Sequence, residues 1–175
     1  MSPHPTDLRE QDHLRGPAGA PVLLVYGDYE CPYTRMAYRT IEGVERRGIP
    51  LRLAFRHFPL TQIHPHALHA ALAAEAAGRQ ERFWAMHDLL FHRQKALGDD
   101  DLQTYGADLG LDADRFAADR TGPHGLARID EDLTSGLAAG VSGTPGLFLD
   151  GTPLASYDAG DLTAALQEAS RRRAP

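Results

Sequence analysis

Pro21-Val22-Leu23-Leu24-Val25-Tyr26-Gly27-Asp28-Tyr29-Glu30-Cys31-Pro32-Tyr33-Thr34 joins a strand to a helix through a short loop that holds a cysteine. The run Pro21 to Tyr26 is apolar and contains β-branched residues, with Gly27 after it, so it reads as a buried strand. Pro32 suits a first helical turn, where its missing N–H would have no partner. A helical pattern then runs from Pro32 to Arg47, with Met36, Ile41 and Val44 apolar and Gly48 as the stop. From Leu51 to Phe58 the residues alternate, Leu51, Leu53 and Phe55 against Arg52 and Arg56, which predicts a second strand. A β–α–β start implies a right-handed crossover and a parallel pair.

The middle of the chain reads as helical. His66 to Ala77 is alanine-rich and ends at Gly78, and Glu81 to Leu97 carries Phe83, Met86, Leu89 and Leu90 at helical spacing. Asp101 to Leu109 and Asp112 to Asp119 form two short helices, each with an aspartate in its first turn, and Gly125 to Ala139 forms another. After the loop Val141-Ser142-Gly143-Thr144-Pro145, Gly146 to Asp150 reads as a strand. Gly151-Thr152 is a tight turn and Pro153 to Ser156 the return strand. Asp161 to Arg172 closes the chain as an amphipathic helix with Leu162, Leu166 and Ala169 inside. The order is therefore β–α–β, a helical insert at about 64–140, then β–β–α. Residues 20–175 read as one α/β domain with a central mixed sheet, and Met1 to Gly19 as a flexible N-terminal arm.

Composition narrows the function classes. The chain has 175 residues, 42% hydrophobic and 24% charged, and a formal charge of −6, which is ordinary globular composition. An acidic chain without a basic block argues against nucleic acid as a partner. No apolar run approaches the roughly 18 residues of a membrane span, and the polar N-terminus lacks the apolar core of a signal peptide. We therefore expect a cytoplasmic protein with no membrane partner. Cys31 is the single cysteine, which removes an intrachain disulfide and any cysteine-cluster metal site.

Cys31 falls between a strand end and a helix start. Unpaired N–H groups and the positive end of the helix dipole favour a thiolate there, while Glu30 and Asp28 oppose it. The same residue could equally be a buried, inert cysteine.

Several segments together resemble one family: Asp12-His13-Leu14-Arg15-Gly16, Gly27-Asp28-Tyr29-Glu30-Cys31-Pro32-Tyr33, Phe55-Arg56-His57-Phe58-Pro59-Leu60, Ile63-His64-Pro65-His66-Ala67, Phe83-Trp84-Ala85-Met86-His87-Asp88-Leu89-Leu90 and Gly143-Thr144-Pro145. Their order is similar to that of bacterial DsbA-like proteins of the thioredoxin superfamily, from about Asp12 to Leu166. The resemblance implies a thioredoxin-like fold with a Cys-Pro-x-Cys site. Here Cys31 matches the attacking cysteine, and Thr34 stands where the resolving cysteine would be. Val25 replaces a buried carboxylate, six residues before the nucleophile, that the family uses with the resolving cysteine. Pro145 matches the family's cis-proline, with Thr144 before it offering backbone groups to a substrate and Gly143 completing the loop.

A thiolate attacks a disulfide sulfur and forms a mixed disulfide. A single cysteine cannot resolve this internally, so the resemblance implies exchange with protein or small-molecule disulfides, completed by a low-molecular-weight thiol such as glutathione. No bound cofactor is expected. Cys31 should be accessible, and the Thr34 hydroxyl is placed to hydrogen-bond its thiolate. Two other functions stay open: a non-catalytic peptide- or protein-binding module, and a glutathione-dependent transferase or isomerase, against which Cys31 argues. A Cys31–Cys31 dimer is also open. His64, His66 and His69 cluster, and zinc takes three or four ligands at compatible spacing, but they fall on a loop-to-helix segment to which the resemblance gives no ligand role, so no metal site is expected. Tyr29 and Tyr33 flank the cysteine, His57 and His87 read as packing or surface histidines, and Phe83 and Trp84 as core.

Overall fold

The computed structural model describes residues 4–173. The elements are β1 (His13–Arg15), β2 (Val22–Gly27), α1 (Pro32–Arg46), β3 (Arg52–His57), α2 (Ala67–Gly78), α3 (Phe83–His92), α4 (Asp99–Asp108), α5 (Ala113–Thr121), α6 (Pro123–Ala138), β4 (Gly146–Leu149), β5 (Thr152–Pro153) and α7 (Ala159–Arg173). One mixed sheet has the order β1-β3-β2-β4-β5. The fold is α/β and thioredoxin-like, with α2 to α6 inserted between β3 and β4. Strands β2 and β3 are parallel, Val22 opposite Arg52 and Gly27 opposite His57. On the other side of β2, β4 is antiparallel with Tyr26 opposite Gly146. That register brings the Gly143–Pro145 loop alongside the end of β2.

Alternate strand residues face opposite sides of the sheet. Leu23, Val25, Leu53 and Phe55 enter the main core with residues of α1, α2, α3, α4 and α7, and Leu24, Tyr26 and Ala54 pack with Phe58, Val141 and Phe148 on the other face. Each fully buried Leu or Phe contributes about 1.5–3 kcal/mol. The central strands are thus covered on both faces.

Double coverage explains the main departures from the sequence reading. Arg56, on the polar side of the alternating strand, is fully buried. Its Nε and Nη2 donate to Asp12 Oδ1 and Oδ2 at 3.0 and 2.7 Å, its Nη1 to the Pro5 carbonyl and the Tyr26 hydroxyl at 2.6 and 2.8 Å, and its Nη2 also to the Asp7 carbonyl at 2.6 Å. Burial would raise the Asp12 carboxyl. The Arg56 hydrogen bonds, the Arg9 backbone N–H and both positive charges outweigh burial and hold it down to about 2. Arg128 pairs with Asp12 at 3.2 Å and with Asp132 at 3.3 Å, and Arg9 also reaches Asp132.

This buried charge cluster ties down much of the segment expected to be a loose arm. Thr6 and Asp12 are buried, and His13–Arg15 is an edge strand antiparallel to β3. Residues 1–3 of that arm lie outside the described residues.

Other boundaries move by less. Helix α3 stops at His92, where the sequence pattern runs on to Leu97. Leu97 is indeed buried, but on a connector held by Tyr105, whose hydroxyl donates to the Ala96 carbonyl at 2.7 Å. The return strand shrinks to Thr152–Pro153, with one further bond from Leu154 N to the Leu147 carbonyl. Met36, expected among the apolar residues of its helix, is 55% exposed.

Candidate active site

The site is built where β2, α1 and the loop before β4 meet. Gly27 ends β2 because nothing larger fits: a Cβ there would lie 2.5 Å from Phe55 Cε2 and 2.9 Å from Thr34 Cγ2. Cys31 is the N-cap of α1, with φ −70° and ψ 121°, and Pro32 opens the helix. Proline has no N–H, so the free donors of the first turn are those of Tyr33 and Thr34. The Thr144–Pro145 peptide bond is cis. The Cys31 thiol donates to the Thr144 carbonyl at 3.4 Å. That bond lasts only while the sulfur keeps its proton.

Cys31, Pro32, Thr144 and Pro145 are therefore brought together as the sequence suggested, but accessibility is not as expected. Cys31 is 3% exposed, because its sulfur turns in under the part-exposed Gly143–Pro145 loop. Thr34 is also buried, and its hydroxyl accepts from Asp28 N at 3.4 Å. No Thr34–Cys31 hydrogen bond forms among the described residues. Tyr33 stands 60% exposed, whereas Tyr29 is buried, its hydroxyl 3.0 Å from His87 Nδ1. Burial pushes the Tyr29 phenol up and holds the His87 imidazole well below its ordinary value, with the charge of Arg15 adding to the latter. His87 is thus a neutral ring packed among Phe55, Trp84 and Phe91.

The two acids beside the cysteine have structural partners. Asp28 Oδ1 accepts from Glu30 N at 2.8 Å, and Oδ2 accepts from Leu60 N and from His64 Nδ1, each at 2.8 Å. Glu30 Oε2 accepts from His66 N at 2.7 Å. Both carboxylates tie the loop after β3 to the cysteine loop. His64 is committed to this tie, and among the described residues no group of three or more His, Cys, Asp or Glu is disposed to hold a metal ion. His57 is not a surface residue: its Nε2 and that of His13 both lie 2.8 Å from Glu75 Oε1. Burial opposes the Glu75 charge, and the two histidines more than offset it, holding that carboxyl well below the usual range.

One contact was not visible in the sequence. The Gln94 carboxamide, on the connector after α3, donates to the Tyr29 carbonyl at 2.7 Å and the Cys31 carbonyl at 2.9 Å. Its only local signal was a polar residue within an expected helix.

Comparison with known proteins agrees with this fold. Residues 8–168 match the family model described as Thioredoxin. The chain belongs to the thioredoxin family. Among solved structures, this thioredoxin-family chain is similar to a thioredoxin-like oxidoreductase from Silicibacter pomeroyi, with TM-score 0.82, 22% identity and 95% of each chain covered. It is also similar to the thiol-disulfide exchange protein alpha-DsbA2 from Wolbachia pipientis, with TM-score 0.80, 19% identity, and 91% of this chain and 87% of that one covered. The fold is accordingly DsbA-like.

In sequence it is more similar to segments of larger proteins. It is 44% identical over 162 residues to the Na(+)/H(+) antiporter NhaA 1 of Salinispora arenicola, covering 91% of this chain and 25% of that protein. It is 45% identical over 166 residues to the Na(+)/H(+) antiporter NhaA of Herminiimonas arsenicoxydans, covering 93% and 26%. The chain thus spans about a quarter of the length of these curated relatives. Among the described residues, no helix is long and apolar enough to cross a membrane.

Proposed function

We propose that this thioredoxin-family protein is a thiol–disulfide oxidoreductase that works through Cys31 alone. The observation that carries the reading is the placement of the lone cysteine at the N-cap of α1, 3.4 Å from the carbonyl that precedes Pro145. The Cys31 thiolate attacks one sulfur of a disulfide R–S–S–R′. A Cys31–S–S–R bond forms, the old S–S bond breaks, and R′–S⁻ leaves and takes a proton from water.

Thr34 has no thiol, so the second step needs an external one. A low-molecular-weight thiolate such as that of glutathione attacks the mixed disulfide and releases Cys31 as thiolate. With a glutathione-capped protein as substrate, the sum is reduction of its mixed disulfide to the free protein thiol and formation of oxidised glutathione. The part-exposed Gly143–Pro145 loop offers its backbone groups to a substrate strand. Such a cycle suits the reducing thiol pool of the cytoplasm.

The test is turnover of a glutathione-capped peptide with excess glutathione. We expect turnover by the parent and none by Cys31→Ser. Equal rates for both would remove the assignment.

A second reading rests on the curated relatives. At 44% and 45% identity, this chain is far nearer to the segment carried by antiporter proteins than to the solved oxidoreductases. We propose that its disulfide partner is such an antiporter. Capture of Cys31 mixed disulfides from membranes, without added thiol, would recover an antiporter cysteine if so.

A further inference from the structure

We infer that Gln94 is a positioning residue for Cys31, and that through it the helical insert sets the geometry of the nucleophile. The inference rests on the exchange reading for its purpose, but not for its test. A carboxamide has two N–H donors, and both are used here, on the Tyr29 and Cys31 carbonyls at 2.7 and 2.9 Å. The Cys31 carbonyl also accepts from Arg35 N at 3.1 Å, the first turn of α1. One carbonyl thus joins the start of α1 to the insert.

Gln94 can act as a fixed point because its own segment is anchored. The Arg93 guanidinium lies 5.1 Å over the Tyr105 ring and 3.2 Å from Asp108, Tyr105 holds the Ala96 carbonyl, and Leu97 is buried in the core. On the loop side, Tyr29 is fixed by Phe55, His87 and Phe91. What Gln94 adds is control of the backbone from 29 to 31, and hence of where Sγ lies relative to the α1 N-terminus.

Gln94 is only part-buried, so water can replace its two bonds at small cost to folding. Water cannot hold two carbonyls in one fixed orientation. Loss of the carboxamide should therefore disturb the sulfur more than it disturbs the fold. The titratable groups bonded to or within this loop are Asp28, Glu30, His64 and His87, with the His66 backbone N–H; among the described residues none of them hydrogen-bonds Gln94.

The test uses side chains of similar length: Gln94→Met removes the donors, Gln94→Glu replaces them with acceptors, and Gln94→Lys keeps N–H donors. Lys95→Met is the neighbouring control. Each chain is alkylated at its single cysteine with iodoacetamide across pH, native and in urea, alongside a thermal melt. For Gln94→Met we expect the pH midpoint of native alkylation to rise by about one unit, a ten-fold fall in the acid dissociation constant of the thiol. Gln94→Glu should exceed this, while Gln94→Lys should not rise above the parent. All chains should coincide in urea and melt within a few degrees of one another.

A Gln94→Met midpoint equal to the parent's would overturn the inference, as would a shift also produced by Lys95→Met. If Gln94→Met does not fold, a Gln94→Lys midpoint above the parent's overturns it equally. Alkylation needs no exchange activity. A parent that fails to turn over disulfides removes the proposed function and leaves this result readable.

Discussion

Replacing Arg56 by methionine should cost the fold about 3–5 kcal/mol. Arg56 is fully buried and makes five hydrogen bonds, two of them to Asp12. Methionine restores the stem but no donor. Asp12, whose side chain is also fully buried, would keep Arg9 and Arg128 at 3.2 Å each, so the loss should fall near 3 kcal/mol, at the lower end of that range. Asp12→Asn, which leaves three guanidinium groups facing a neutral amide, should fall near the upper end.

For a chain of this length, 1 kcal/mol is about 2–4 °C, so the Arg56→Met midpoint should drop by about 6–12 °C. The assays are thermal melts and urea unfolding at neutral pH by far-ultraviolet circular dichroism for both singles and the double variant. Pairing predicts a double variant clearly less destabilised than the sum of the singles. A loss below about 1 kcal/mol for Arg56→Met, or strict additivity, would refute the claim that this pair anchors the N-terminal segment.

Three further outcomes rest on the same packing. Gly27→Ala places a methyl 2.5 Å from Phe55 Cε2 and 2.9 Å from Thr34 Cγ2, so it should cost about 1–3 kcal/mol and slow Cys31 alkylation; an unchanged urea midpoint would contradict this contact. Acidification should destabilise in two stages. His87 is held below its ordinary 6.5 in the fold, so the unfolded chain takes up that proton first and stability falls as pH drops below about 6.5. Asp12 and Glu75 are also depressed, so their contribution is complete above their ordinary 3.8 and 4.5 and is lost as pH falls toward 2. Urea midpoints from pH 8 to 3 read this, and His87→Leu should erase only the first stage. Thr34→Cys puts a second thiol in the first turn of α1, three residues after the N-cap Cys31; after mild oxidation it should show no free thiol by mass, and a persistent free thiol would mean that the helix start holds the sulfurs apart.

Local sequence carried much of the site. Cys31, Pro32 and Thr34 sit within one loop and the first helical turn, and Gly143-Thr144-Pro145 within three residues, so short-range rules and family likeness both find them. The exposure of Cys31 and the partner of the Thr34 hydroxyl differ from the sequence reading, and the burial of Tyr29 was not legible in it. Each depends on a hydrogen-bond partner that helix and strand periods do not specify: the Thr144 carbonyl, the Asp28 backbone, His87. Gln94 was missed because its partners lie more than sixty positions earlier in the chain and because α3 ends before the apolar spacing does.

By itself the sequence determined the β–α–β start, the helical insert, the final β–β–α unit and the lone thiol at a helix entrance, because strand and helix periods and proline's missing N–H act over a few residues. Only the tertiary structure decided that Arg56 belongs inside, that residues 13–15 add a strand to the sheet, and that Gln94, Asp28 and Glu30 tie the cysteine loop to the segments around it. Those outcomes come from burial on both faces of β3 and from hydrogen bonds between groups far apart in the chain. A buried guanidinium or carboxylate is tolerated only where distant partners converge on it, and the folded packing supplies that convergence.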